Sequence, residues 1–440
     1  MTKSTINPEL LFGKVNSINA NSVHFEYINN QHEPTYFRGN RYGKGEVGEF
    51  VIIESQVNLV LGRIVEIKKD DLAKSNLEIV GKIQLLGTIQ MDTLRVSAGV
   101  DYYPSINDLI YSAPHEFIAS IPEKMQKDEA KIVLEIGAID LDQSCGISIT
   151  PEKLFGGRHL GILGATGGGK SYTTARVLEE CLKHNSKIIL LDPTGEYRDF
   201  SDSSVTNVHL ASPINQALSS KAISIPPYCF EETDFIALFE PAGKSQGPKF
   251  REAIRSLRLV DLLQKEALCA EMIHNGVFIK IGQPEENYKI AIRTIKDRYL
   301  LELPDSPFNP NKLCQQIKEE YVILRGTHYQ ADDFNFNHCL SLLTRINGII
   351  NSHTFKFVFQ ESSLPSLANE LENFYTDPSK KLFRIDMSAI GFEFKAREVI
   401  SNVIGRFLLN KARQLAFINK PIAKFLIIYH NRSYGILNRF

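Results

Sequence analysis

The sequence predicts an α/β protein: a mainly parallel sheet carrying a phosphate-binding loop, interrupted by a helical insertion and preceded by a small N-terminal β-barrel. Three observations predict it. The apolar run Leu160-Gly161-Ile162-Leu163 leads into Gly164-Ala165-Thr166-Gly167-Gly168-Gly169-Lys170-Ser171, and a helix-forming run follows. On its C-terminal side, strand-length apolar runs alternate with helical periodicity, the rhythm of a parallel sheet covered by helices on both faces. Ahead of it, from about Leu10 to Ala113, short alternating runs recur between Gly, Asn, Asp and Pro turns.

Composition narrows the class. The chain has 440 residues, room for two or three domains. Hydrophobic content of 43% and charged content of 23% are ordinary for a soluble globular protein. A formal net charge of -1 excludes a generally basic surface, so any nucleic-acid contact must be a local basic lining. No apolar run reaches the length of a membrane span, and Met1-Thr2-Lys3-Ser4 does not open a signal peptide. The six cysteines are scattered without a C-x-x-C pair, which argues against zinc and a disulfide framework and for a reducing cytoplasm. The eleven histidines show no metal-ligand spacing.

Taken in order, GKVNSIN, SVHFEYI, EFVIIES, NLVLGRIVEI and VGKIQLLGTIQ read as strands of a small barrel or sandwich over residues 1–115. It carries no catalytic constellation, so it reads as an assembly or partner module. Residues 116–150 read as a linker, polar from Ile121 to Lys131, and a first core strand, Ile132 to Ile139. Residues 151–440 are the expected P-loop core, with a helical insertion at about 229–350. Arg158, just before the loop, either approaches a nucleotide at a subunit boundary or bridges surface groups, the commoner arrangement.

The loop fits G-x-x-x-x-G-K-[ST] from Gly164 to Ser171. Glycines let backbone N–H groups turn towards phosphate oxygens, and the following helix presents its positive end to the same anion. Lys170 is expected on the β- and γ-phosphates of ATP and Ser171 on Mg²⁺. Gly164, Ala165, Thr166, Gly167, Gly168, Gly169, Lys170, Ser171 and Tyr172 are the candidate nucleotide-binding positions. Ser186 to Leu191 then reads as a buried strand ending in Asp192-Pro193-Thr194-Gly195-Glu196-Tyr197. Carboxylates at the C-terminal edge of such strands face the ligand crevice. Asp192 is therefore a candidate metal residue and Glu196 a candidate for orienting water. The alternative is that Asp192 caps the loop and Glu196 is solvated.

Strands are expected at Asn207 to Leu210 and Ala222 to Ile225. From about Glu231 to Ile350 helical periodicity takes over, PNKLCQQIKEEYVIL included. One helix sets Arg251, Arg255 and Arg258 on one face, a stripe that either tracks a phosphate backbone or, more commonly, is a solvated face. The α/β rhythm returns with a strand at Phe355 to Phe359, a helix at Leu364 to Phe374, a strand at Lys381 to Ser388, a helix at Ala396 to Ala416 and a strand at Lys424 to Tyr429.

LFGGRHLGILGATGGGKS followed by LLDPTGEY resembles the HerA branch of the HerA/FtsK hexameric ATPases. The N-terminal β segment, the helical insertion and LFRIDMSAIGFEFKAREVISNVIGRFLLNKAR resemble the same family, over nearly the whole chain. The resemblance implies a RecA-like core and a homohexameric ring that moves double-stranded DNA with ATP. It also implies work with a partner nuclease or other effector, in DNA end processing or anti-phage (antiviral) defence, without a membrane. Lys170 and Ser171 match the phosphate and Mg²⁺ residues, Asp192 and Glu196 the acidic motif, and Arg158 a basic residue near the nucleotide. After a strand such as KFLII the family has Asp-Glu-Ala-His; here Tyr429-His430-Asn431 follow, and none of residues 430–440 is acidic. The expectation is a chain that ends at or before those acids and hydrolyses slowly unless Glu196 substitutes. The alternative function is an ATP-binding assembly scaffold for a partner enzyme.

Overall fold

The computed structural model describes residues 6–28, 34–37, 39–70, 78–91, 94–124, 132–139, 142–155, 160–184, 186–213, 219–265, 269–360, 363–417 and 425–429. The chain divides into two compact units, residues 1–183 and 184–440. Among the described residues no helix is long and apolar enough to cross a membrane.

The first unit opens with β1 (Leu11–Asn19), β2 (Ser22–Tyr27), β3 (Phe50–Glu54), β4 (Leu59–Asp70), β5 (Glu78–Ile89) and β6 (Leu109–Ser112). They pair antiparallel in the order β2-β1-β6-β3-β4-β5, and β5 returns to β2, closing a six-stranded barrel. Period-2 alternation turns Phe12, Val15, Val23, Phe25, Val51, Ile53 and Ile110 inward, with Phe12 edge-on to Phe25 at 5.5 Å. The expected strands are all present, since each run has a dry face and a wet one. Closure pairs the two outer strands of the six, and a short seventh strand, Val96–Ala98, adds to β5.

After the barrel, α1 (His115–Lys124) lays Phe117, Ile118 and Ile121 against Ile52, Leu59 and Ile89. The stretch 125–131, expected as linker, lies outside the described residues. The run at 132–139 is a strand, β7 (Leu134–Ile139), but it does not join the core sheet. It pairs antiparallel with β8 (Asp142–Ile149) in a separate hairpin. A short apolar run does not reveal its partner, and the polar strand that β7 pairs with carries little apolar signal. The unit ends in α2 (Lys170–Leu182), which contacts β7.

The second unit is built on five parallel strands: β9 (Lys187–Asp192), β10 (Val205–His209), β11 (Lys221–Ala222), β12 (Leu382–Asp386) and β13 (Phe425–Tyr429). Their order is β11-β10-β12-β9-β13. β9 and β12 are buried along almost their whole length, which explains their unbroken apolar sequences. Around them pack α3 (Glu232–Phe239), α4 (Gln246–Lys265), α6 (Leu313–Glu320), α7 (Leu340–Ile350), α8 (Leu367–Thr376) and α9 (Ala396–Phe417), while α5 (Glu285–Thr294) packs on the far end of α4 in a satellite cluster with Phe278 and Leu301.

Three expectations for this unit need correction. Phe355 to Phe359 is a 3-10 turn running into the short helix Lys356–Phe359, not a strand. Phe355, Phe357, Val358 and Phe359 are all buried, and period does not separate short strand from short helix when every apolar side chain is dry. The insertion is not all helix. α6 stops at Glu320, and the β-branched pair Val322-Ile323 begins a hairpin, Val322–Arg325 with His328–Ala331; a smaller one joins Ile273–His274 to Val277–Phe278. The helix expected from Leu364 starts at Leu367, because Pro365 delays it and the Ser366 hydroxyl caps it by accepting from the Asn369 N–H at 3.2 Å.

At the N-terminal edge of the sheet, Lys187 Nζ donates to the carbonyls of Phe374, Asp377 and Lys380 at 2.7, 2.6 and 2.6 Å and lies 4.5 Å from the Phe374 ring. One ammonium thus ties the end of α8 to the start of β9. Burial lowers its pKa, against the opposing pull of Asp377. Lys187→Met is expected to cost about 1–3 kcal/mol, the scale of lost charge-assisted hydrogen bonds, read as a lower urea midpoint at unchanged slope.

Candidate phosphate site and the buried charge cluster

The loop Gly164–Gly169 is exposed and folds on its own backbone. Gly167 and Gly169 stand at φ +80° and +78°, the left-handed region where a side chain is strained. The Gly168 N–H donates to Ala165 O at 3.0 Å, and a Cβ on Gly168 would meet that oxygen at 3.0 Å. Gly169 precedes Lys170, the first residue of α2. Lys170 Nζ curls over the loop and donates to Gly164 O at 3.0 Å and Ala165 O at 2.7 Å. The Thr173 and Thr174 hydroxyls bond Gly169 O and Lys170 O, both at 3.0 Å, and stiffen the first turn. Ser171 is partly buried beside Lys170, and Tyr172 is exposed. These residues fit a nucleotide phosphate with its metal: a cation inside an open glycine loop, and a hydroxyl on the first turn of a 13-residue helix.

The approach differs from expectation. Leu160 to Ala165 pairs with no strand among the described residues, and Leu163 is 94% exposed. Leu160, Ile162 and Leu163, interrupted by Gly161, offer too little surface to hold a strand without a partner. Arg158 lies outside the described residues.

Residues 134–321 match the family described as Helicase HerA, central domain. This segment is similar to the central domain of HerA-type helicases. A probable helicase of Methanocaldococcus jannaschii is 28% identical over 190 residues, 42% of this chain and 33% of that protein. The DNA double-strand break repair helicase HerA of Sulfolobus acidocaldarius is 24% identical over 176 residues, 39% of this chain and 35% of that protein. The chain thus spans about a third of the length of these curated relatives.

In the second unit, the acidic pair of the HerA-type segment lies at the carboxyl end of β9. Asp192 is fully buried. Its Oδ1 accepts from the Gly195 N–H at 2.8 Å and from the Thr194 and Glu196 N–H groups at 3.3 Å; its Oδ2 accepts from the Tyr197 N–H at 3.1 Å. The carboxylate therefore folds the turn that carries Glu196. Gly195 at φ +74° lets that turn pass Ser388, whose Oγ would lie 3.3 Å from an added Cβ.

Sequence reasoning missed the partner of Asp192. Arg384, also fully buried, donates Nε and Nη2 to Asp192 Oδ2 at 2.9 and 2.7 Å and Nη2 to Asp386 Oδ2 at 2.8 Å. Asp386 Oδ1 accepts from the Ser388 N–H and Oγ at 2.9 and 2.6 Å. The ladder sets Asp192, Asp386 and His209 side by side at the ends of three adjacent strands. The available signal was the arginine itself, alone in the apolar strand LFRID. Direct metal ligation by Asp192 would require Arg384 to let go of it.

Two of the three arginines of the basic stripe turn inward, and Arg251 stays exposed. Arg258 is 2% exposed, bonding Glu232 and the carbonyls of Leu301, Pro304 and Ser306. Arg255 reaches Glu302 at 2.6 Å and the Tyr288 hydroxyl at 2.9 Å, and Arg251 faces Glu232 at 3.4 Å. Arg255 and Arg258 brace the insertion, while Arg251 is solvated, the commoner arrangement expected.

Arg384→Met leaves two buried carboxylates unpaired and is expected to cost about 3–5 kcal/mol in denaturant unfolding, whereas Asp192→Asn, which leaves one carboxylate on one guanidinium, is expected to cost less. A second expectation concerns pH. Burial lowers the His209 pKa from its ordinary 6.5, with Asp386 pulling the other way, and Nδ1 sits 2.9 Å from Ser220 Oγ. The unfolded chain takes up this proton first, so stability falls as pH drops from 6.5 through the lower folded value. In His209→Gln that part of the acid slope is expected to vanish from a stability–pH profile.

Proposed function

We propose that the chain is an ATP-driven DNA translocase or helicase subunit with a RecA-like core, acting in a ring-shaped homohexamer on double-stranded DNA. In this reading it works in the cytoplasm with a partner nuclease or other effector, in DNA processing or anti-phage defence. The observation that carries the reading is the phosphate loop, with Gly167 and Gly169 left-handed and Lys170 opening α2, in a HerA-type segment. The name of the Sulfolobus relative, a break-repair helicase, supports the DNA substrate.

Lys170 would leave its two carbonyl partners for the β- and γ-phosphates, and the backbone of Gly164 to Tyr172 would line the nucleotide. Ser171 would hold Mg²⁺, which when bound neutralises phosphate charge. Asp192 would serve the acidic motif by shaping the turn, and Glu196 would orient the attacking water. Arg158 would stand near the nucleotide.

A second reading, an ATP-binding scaffold for a partner enzyme with little hydrolysis, has one observation in its favour. Both Asp192 and Asp386 are already held by Arg384, which leaves Glu196 as the acid on which water activation rests.

ATP turnover of the purified chain, with and without duplex DNA, tests the first reading. DNA-stimulated turnover is expected, lost by about 10²-fold or more in Lys170→Ala. Glu196→Gln is expected to lower turnover by about 10²-fold while a fluorescent ATP analogue still binds. Binding without turnover in the unaltered chain would favour the scaffold; neither binding nor turnover would end both readings.

A further inference from the structure

The phosphate loop stands at one end of α2, and the other end carries a buried charge that phosphate chemistry does not use. Glu180 is 2% exposed. Its Oε1 meets Lys183 Nζ at 2.5 Å and Arg176 Nη2 at 2.8 Å, and its Oε2 accepts from the backbone N–H of Glu135 at 3.1 Å. Burial pushes its pKa up, but the hydrogen bond from Lys183, the Glu135 N–H and Arg176 together outweigh it and hold the carboxyl below its usual range. The group is therefore a buried carboxylate kept ionised by three partners.

Arg176 lies on the same helix and Lys183 directly follows it; the third partner belongs to another element. Glu135 lies in β7, where the ladder to β8 slips between Glu135 and Gly137, so a bulge sits at the point of contact. The side chain of Glu180 thus grips the backbone of the hairpin. Burying a carboxylate costs several kcal/mol that its partners must offset, and an apolar residue would cover the same helix face without that cost. What an apolar residue lacks is direction. The Glu135 N–H fixes the rotation and the axial position of α2 against β7, while Arg176 and Lys183 hold the Glu180 carboxylate in place to accept it, and a greasy contact slides more readily.

Position along α2 matters because the helix is a rigid rod. Lys170 and Ser171 begin it, and Glu180 lies ten residues later, about 15 Å at the helical rise. We propose that Glu180 is a positioning residue for the phosphate loop: by locking α2 to the β7–β8 hairpin it sets where Lys170 and Ser171 stand. The connection continues within the same unit. α1 contacts β8, and its Phe117 and Ile118 are built into the apolar packing of the barrel. Barrel, α1, hairpin, Glu180 and phosphate loop form one chain of contacts through which a shift at the barrel reaches the nucleotide. This rests on the loop being a nucleotide site, but the lock itself is testable without nucleotide.

The experiment is amide hydrogen exchange on the full chain without nucleotide, for the unaltered protein, Glu180→Ala and Glu180→Gln. Loop and first-turn amides, Gly167 to Thr174, are expected to exchange about tenfold faster in Glu180→Ala, with the amide of Glu135, while barrel amides keep their rates. Glu180→Gln keeps an acceptor for Glu135 but loses the charge, and is expected to fall between. A fluorescent ATP analogue should follow the same order, weakening several-fold in Glu180→Ala. Loop exchange unchanged in Glu180→Ala, or rising in step with the barrel as in general destabilisation, overturns the proposal. Should Glu180→Ala not fold, Glu180→Gln decides: faster exchange confined to the loop and Glu135 supports the lock, and loop rates like those of the unaltered protein overturn it. If the unaltered protein binds no analogue, the nucleotide reading falls, and the exchange data still judge the lock.

Discussion

The guanidinium of Arg384 is the constraint on which the second unit depends. It sits inside an apolar sheet with no exposed surface and holds two carboxylates, Asp192 and Asp386, on neighbouring parallel strands. Without it those carboxylates would face each other across the β9–β12 register with no cation between them. With it, Asp192 has a fixed orientation and the turn from Pro193 to Tyr197 can wrap around it through backbone N–H donors. The position of Glu196 therefore follows from a charge balance struck in the sheet, not from local turn preference. A planar fork suits this task, because its nitrogens meet two acids in one plane where a lysine would offer a single point charge.

What was legible in the sequence follows from what each pattern encodes. The barrel strands could be read because each has one dry face, and period 2 records that directly. The core strands at Lys187 to Asp192 and Leu382 to Asp386 could be read as unbroken apolar runs. Phe355 to Phe359 could not, because burial on all sides erases the period that separates strand from helix. The glycine turn and the helix that Lys170 opens are legible because they lie in consecutive residues. The cluster of Asp192, Arg384, Asp386 and His209 is not, because its members meet across strands far apart in the chain. Glu180 is hidden for the same reason: on a helix with Arg176 and Lys183 it reads as an ordinary surface ion-pair network, and only the Glu135 N–H and its burial mark it out.

Charge in the insertion is spent internally. A stripe of arginines at i, i+4 and i+7 invites a reading as a phosphate track, yet Arg258 is sealed under a loop whose carbonyls it collects. Lys280 is likewise buried, bonded to Glu320 and 3.9 Å from the Tyr288 ring. Burying a cation is tolerable only where acceptors replace its water, and in both cases they do. Spacing on a helix shows that side chains share a face but not whether that face is wet, so helical charge patterns alone overstate nucleic-acid contacts in a chain whose net charge is -1.

Lys170 makes the contrasting case of a cation whose partners can be exchanged. Its ammonium rests on two carbonyls of its own loop, at 3.0 and 2.7 Å, in a segment otherwise open to solvent. Those contacts are with neutral acceptors, and a phosphate oxygen offers a charged one, which forms hydrogen bonds roughly twice as strong. The carbonyls hold the side chain over the loop beforehand, so a phosphate would meet a lysine already folded into place and would lose less to side-chain ordering than if it had to recruit a free chain. Arg384 offers no such exchange, because its partners are charged, buried and hydrogen-bonded in turn. The two basic residues thus differ in kind: in the second unit Arg384 stays to fix the acidic turn, and in the first Lys170 rests on neutral carbonyls that it could leave for an anion.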